Sequence, residues 1–128
     1  MKGYLMSSYF YVFLGGGLGA FARYLLSLVN LSKLSLGTFP INTFITNIVG
    51  SFVIGLISAI NLKNSSLSPQ MVLFLKTGIC GGFTTFSTFS LETFSLLEKG
   101  NYSTALIYML LSSIFGILSV ALGYYLVR

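Results

Sequence analysis

Four long apolar stretches, at about residues 9–29, 40–62, 70–97 and 102–127, are separated only by the short polar links LSKLS, KNSSLSP and EKGN. A helix needs roughly 20 apolar residues to cross the hydrocarbon layer of a bilayer, so each stretch is long enough for one crossing. The chain is 55% hydrophobic and 7% charged, where an ordinary globular chain is about a quarter charged. At 128 residues it has room for a single domain. These features predict an all-α membrane protein of four transmembrane helices, one domain over residues 1–128. The opening MKGYLMSS carries one Lys and no small-residue cleavage site, and reads as part of a retained first helix, not a signal peptide.

The residue inventory excludes most chemistry. There is no His and one Cys, Cys80, so neither a disulfide framework nor a Cys/His metal site can be built. The two carboxylates, Glu92 and Glu98, are six apart and do not share a helix face. Paired-acid or His-base catalysis has no parts here, and the chain is not expected to be an enzyme. Orientation is nearly undetermined as well. With four spans, Lys2, Lys63, Lys76 and Arg128 fall toward one side and Arg23, Lys33 and Lys99 toward the other, four against three. Lys/Arg bias normally sets topology. So small a bias allows insertion both ways, with opposed copies pairing as an antiparallel dimer, or one orientation chosen by Lys2 and the terminal amine. The small-xxx-small pairs Gly15/Gly19, Ser51/Gly55 and Gly78/Gly82 would let helices approach closely. Four helices enclose little space, which also favours an oligomer.

Several polar residues fall at bilayer depth. Thr43 and Asn47 are four apart on one helix face. The Asn47 amide is either glue between helices, worth about 0.6–2 kcal/mol, or a pore-lining donor with two hydrogens to offer an anion. Tyr108, Ser112 and Gly116 follow at i, i+4 and i+8, with Ser119 near the same stripe. Arg23 lies six residues inside the first stretch, about 9 Å at 1.5 Å per residue. It either snorkels to the interface or raises anion concentration in a water-filled vestibule. Lys76 allows the same two readings.

The segment GGFTTFSTFS, residues 81–90, interleaves three Phe with five hydroxyls. Its glycines and β-branched residues make a poor helix interior, which predicts a break near Gly81 to Thr84. Backbone freed there must be buried in protein or line a cavity, and its carbonyls could hold a cation. Phe86 and Phe89 share a face. They either fill a core or turn their positive edges toward a small anion, holding it without the deep well of a fixed cation. The residues alone point to an anion pathway.

The run GGFTTFSTFSLE, from Gly81 to Glu92, resembles the signature of the Fluc, or CrcB, family of small fluoride channels, and GGGLGAFARYLL and FPINTFITNIVGSFVIG extend the resemblance along the chain. The resemblance implies an antiparallel, dual-topology homodimer in the bacterial inner membrane, with two pores conducting fluoride passively out of the cytoplasm. It implies that Asn47 is the pore amide. Phe86 and Phe89 would be the edge-on rings, one from each subunit at each pore. Thr43, Thr88, Tyr108 and Ser112 would be further donors, and Arg23 a vestibule cation. A structural sodium ion at the dimer centre would be held by the carbonyls of Gly81 and Thr84. Fluoride, the lipid bilayer and a second copy are the partners implied, and nucleic acid is not. Two departures stand out. FPINT replaces the family's FPxGT, putting Asn42, an acceptable N-cap, where a Gly is usual. Gly116 stands where another hydroxyl is expected on the fourth-helix track, with Ser113 or Ser119 as substitutes. The rival readings are a small dual-topology drug antiporter, which needs an acid in its first helix where this chain has Arg23, a proton-coupled fluoride carrier relying on Glu92, and an assembly subunit with no transport role.

Overall fold

A computed structural model describes residues 2–31, 37–64 and 67–128, with side chains from residue 5 onward and not at residue 64. Of the cations weighed for orientation, Lys33 and the Lys2 side chain lie outside the described residues. Among the described residues all regular structure is helical: α1 (Lys2–Ser27), α2 (Ile41–Asn64), α3 (Pro69–Val72), a π-helical stretch π1 (Leu73–Cys80), α4 (Gly81–Phe83), α5 (Phe86–Glu98) and α6 (Tyr102–Val127). Among the described residues three helices are long and apolar enough to cross a membrane, at Leu5–Ser27, Ile41–Lys63 and Tyr102–Val127.

The remaining apolar stretch is a chain of helical pieces. Ser68 starts it, its hydroxyl accepting from the Met71 N–H, with Pro69 in the first turn, where a missing N–H costs nothing. Through π1 the turns widen, so that the Gly81 N–H reaches back five residues to the Lys76 carbonyl as well as to Gly78. Thr84 (φ −76°, ψ 158°) and Thr85 (φ −149°, ψ 117°) are then extended. Gly81 is still helical, so the extended pair lies at the far end of the segment that composition marked. The cause is local. Two β-branched residues follow two glycines, and the Thr85 hydroxyl finds a better role as N-cap of α5, accepting from the Thr88 N–H at 3.2 Å. At its other end α5 closes with Gly100 at φ 75°, the Gly100 N–H bonding Leu97 and the Asn101 N–H bonding Leu96. Only a residue tolerant of left-handed φ makes that stop cheaply.

Packing is backbone to backbone at two seams. Along α1, Gly15, Gly16 and Gly19 lie against π1 and α4. A side chain at Gly78 would place its first carbon 2.8 Å from the Gly15 Cα, and one at Gly82 would meet the Gly16 carbonyl. The pairs Gly15/Gly19 and Gly78/Gly82 therefore face each other. At the second seam α2 meets α6, with Gly55 on the Val120 carbonyl and Gly123 on the Phe52 carbonyl. Close approach of this kind replaces the hydrophobic drive that helices lack in lipid. The side-chain core is small. Tyr108 is fully buried beside Leu96 and Ala105, with Phe39, Phe44 and Phe89 packed around them. Phe13, Phe21 and Ile117 point outward, as a lipid-facing surface requires.

Gly78→Leu forces α1 off π1, because the obstruction is backbone and cannot rotate away. It is expected to destabilise the protein by about 1–3 kcal/mol or more, read as a lower midpoint in a detergent melt followed by size exclusion. Gly17→Ala, where an added carbon meets nothing within 4 Å, is expected to be neutral or slightly stabilising in the same melt.

Candidate functional site

On α2, Thr43, Asn47 and Ser51 follow at one-turn intervals along one face. Asn47 sits opposite the extended residues between α4 and α5 and bonds Thr85 twice. Its Nδ2 donates to the Thr85 carbonyl at 3.1 Å, and its Oδ1 accepts from the Thr85 N–H at 2.8 Å. The side-chain amide thus takes the place of the helix partners that Thr85 lacks. One of its two N–H hydrogens remains to be offered elsewhere. The buried Thr85 hydroxyl in turn donates to the Thr88 hydroxyl at 3.0 Å, leaving the hydrogen of Thr88 free to point outward.

The interruption also releases two carbonyls. In an unbroken helix the Gly81 and Thr84 carbonyls would accept from the N–H groups of Thr85 and Thr88. Those N–H groups are engaged by Asn47 and by the Thr85 hydroxyl instead. The Thr84 hydroxyl turns away, donating to the Cys80 carbonyl at 2.9 Å.

Two cavities flank Thr85. One, of about 390 Å³, is lined by Asn47, Ser51, Gly81, Phe86, Phe89 and Ser112 among others. The Ser112 hydroxyl is buried and has no hydrogen-bond partner, an arrangement that is costly unless something else visits the site. Phe86 and Phe89 lie 5.8 Å apart, centroid to centroid, with planes at 38°. Phe89 leans on Tyr108 at 5.0 Å while Phe86 is 79% exposed. The second cavity, of about 300 Å³, holds Arg23 with Thr43, Thr46, Thr85 and Thr88. Arg23 and hydroxyls line one of these cavities, and two aromatic rings, an amide and hydroxyls line the other.

Tyr108 and Thr43, read from sequence as donors along a track, share one acceptor. Thr43 Oγ1 donates to Glu92 Oε1 at 2.7 Å, and the Tyr108 hydroxyl donates to Glu92 Oε2 at 2.8 Å. Glu92 thereby ties α2, α5 and α6 together. Sequence reasoning gave it no role in a channel, only that of relay in the rival coupled carrier. The signal was there in part, since a carboxylate on an apolar helix must find donors, but two hydroxyls 49 and 16 residues away cannot be picked out by spacing. Asn42 also differs from expectation. It sits inside the first turn of α2, not at its cap, and its Nδ2 reaches back toward the Val29 carbonyl at 3.1 Å and those of Leu26 and Ser27 at 3.4 Å, covering the C-terminus of α1.

Residues 10–124 match the family described as CrcB-like protein, Camphor Resistance (CrcB). The chain belongs to the CrcB family. Among its curated relatives, the fluoride-specific ion channel FluC of Azobacteroides pseudotrichonymphae is 42% identical over 122 residues, covering 95% of this chain and 97% of the relative. The protein of the same name from Flavobacterium psychrophilum is 42% identical over 118 residues, with 92% and 94% covered. That of Gloeothece citriformis is 45% identical over 121 residues, with 91% and 94% covered. These CrcB relatives are ion channels by name, not enzymes, and the apolar helices make this CrcB chain a multi-pass membrane protein.

Tyr108→Phe removes a donor from Glu92 and is expected to cost about 1.5–3 kcal/mol, the usual range for a hydrogen bond to a charged group. In a Glu92→Gln background the same change is expected to cost markedly less. A double-mutant cycle on unfolding in detergent measures the difference.

Proposed function

We propose that the chain is a fluoride-selective channel through which fluoride leaves the bacterial cytoplasm down its electrochemical gradient. The observation that carries this reading is the cavity where Asn47, Phe86, Phe89 and the unpartnered Ser112 hydroxyl converge beside the Arg23 vestibule. The names of the relatives agree with it. Fluoride is small and holds its water tightly, so a pore must offer donors in exchange, yet no well deep enough to trap it. Amide, hydroxyl and ring-edge groups meet both requirements. The biology follows from weak-acid chemistry: HF crosses membranes as a neutral molecule, ionises at the higher internal pH, and leaves fluoride trapped unless a passive route exists.

On this reading the segment from Pro69 to Glu98 makes a fourth crossing, interrupted at Thr84 and Thr85, and the chain works as an antiparallel homodimer in the bacterial inner membrane. Each dimer has two pores, with Phe86 from one subunit and Phe89 from the other at each. A near-even split of cations between the two sides supports both orientations. The Gly81 and Thr84 carbonyls, whose helical donors are engaged elsewhere, fit a sodium ion shared with the same carbonyls of the second copy. When bound, sodium supplies a fixed positive charge that joins the two interrupted segments. Thr43 and Tyr108 then act through Glu92, holding α2 and α6 against α5. One rival, a proton-coupled fluoride carrier, would need Glu92 as its relay, although both oxygens of that carboxylate already accept from hydroxyls.

Liposomes bearing the protein, loaded with fluoride or chloride and clamped with valinomycin, separate these readings by electrode-detected efflux. Fast fluoride release with negligible chloride release and no need for a proton gradient is expected. Release only under a proton gradient would favour the coupled carrier. Phe89→Ile is expected to slow fluoride release by at least about tenfold, equivalent to about 1.4 kcal/mol in barrier, with the dimer intact by size exclusion. Exchanging all sodium for N-methylglucamine is expected to lower release in the wild type.

A further inference from the structure

We propose that Ser51 is a fluoride ligand, its hydroxyl standing in for the one that α6 lacks at Gly116. The inference rests on the channel reading and extends it to a residue on a different helix. Ser51 lies one turn beyond Asn47 on α2 and lines the same cavity, together with Ser112. The other hydroxyls of that lining are engaged: Thr84 donates to the Cys80 carbonyl, Thr85 to Thr88, and Ser113 to the Met109 carbonyl. Ser51 and Ser112 bond nothing among the described residues.

The position of Ser51 relative to α6 decides the matter. A side chain built at Gly116 would find one neighbour within 4 Å, the Ser51 Oγ at 3.8 Å. A hydroxyl carried by residue 116 and the hydroxyl of Ser51 would therefore reach into the same small volume, one from α6 and one from α2. With glycine on α6 that volume is left to Ser51. Neither substitute suggested by the α6 sequence fills it, since Ser113 is held by its own backbone and Ser119 is not part of the lining. Asn47 and Ser51 then form successive donor positions about one helical turn, or roughly 5–6 Å, apart, with Ser112 in the same lining. An ion can pass between sites at that spacing without being wholly stripped of partners.

The test uses the full-length protein in fluoride-loaded liposomes, with dimer state and melting midpoint recorded for each variant. Ser51→Ala is expected to lower fluoride efflux by about tenfold or more, as loss of a hydrogen bond to a charged ion does, with the melting midpoint unchanged. Adding Gly116→Ser to Ser51→Ala returns a hydroxyl from α6 and is expected to restore most of the flux, as is the hydroxyl-retaining Ser51→Thr. Undiminished flux in Ser51→Ala, beside an active wild type, overturns the inference while leaving the channel reading intact. So does a loss that neither hydroxyl-restoring variant repairs, because such a loss is structural. A wild type that releases no fluoride overturns the channel reading itself, and this inference with it.

Discussion

Two hydrogen bonds between Asn47 and the backbone of Thr85 hold together everything that distinguishes this chain from a plain helical bundle. In hydrocarbon an extended residue is intolerable unless its N–H and C=O are answered from within the protein. Asn47 answers both at once, from a neighbouring helix. Because Thr85 is thus satisfied, its hydroxyl is free to cap α5 and to orient Thr88. The Thr85 N–H is withdrawn from the Gly81 carbonyl, and Phe86 and Phe89 are launched from a new helix start facing the cavity. A single carboxamide therefore fixes an interruption, a cap, two released carbonyls and the placement of two rings.

The hydroxyls show how a chain rich in Ser and Thr keeps most of them quiet. Thr46, Ser58, Ser90, Thr93 and Ser113 all donate to the carbonyl four residues back, which removes them from any exchange with an ion. Thr43 and Tyr108 are neutralised differently, on Glu92. Much of the polarity at bilayer depth is thus satisfied internally, while the Ser51 and Ser112 hydroxyls, left over, line one cavity.

How much of this was legible in the sequence follows from the range of each interaction. Apolar runs are a local signal, and three of the long helices lie where the runs lie. The Gly-Gly and Thr-Thr pairs are local too, and they marked the interruption to within a residue or so of Thr84 and Thr85. The co-location of Asn47, Phe86, Phe89 and Ser112 came mainly through resemblance to a family motif, because no spacing rule links positions 47 and 112. What could not be read was long-range and specific. Glu92 finds two hydroxyls on other helices, Asn42 finds the end of α1, and the glycine face of α1 lies against the wide turns of π1.

That glycine face has a consequence for how the sequence can drift. Where α1 meets π1 and α4, each helix presents main chain to the other, with Gly15 and Gly19 against Gly78 and Gly82. An interface built of side chains can absorb a change on one wall by a compensating change on the opposite wall. Here the opposite wall has no side chain to shrink. Each of these positions is constrained alone, without a covarying partner, so the seam would stay invisible to any method that infers proximity from correlated substitutions, although it is among the closest contacts in the fold.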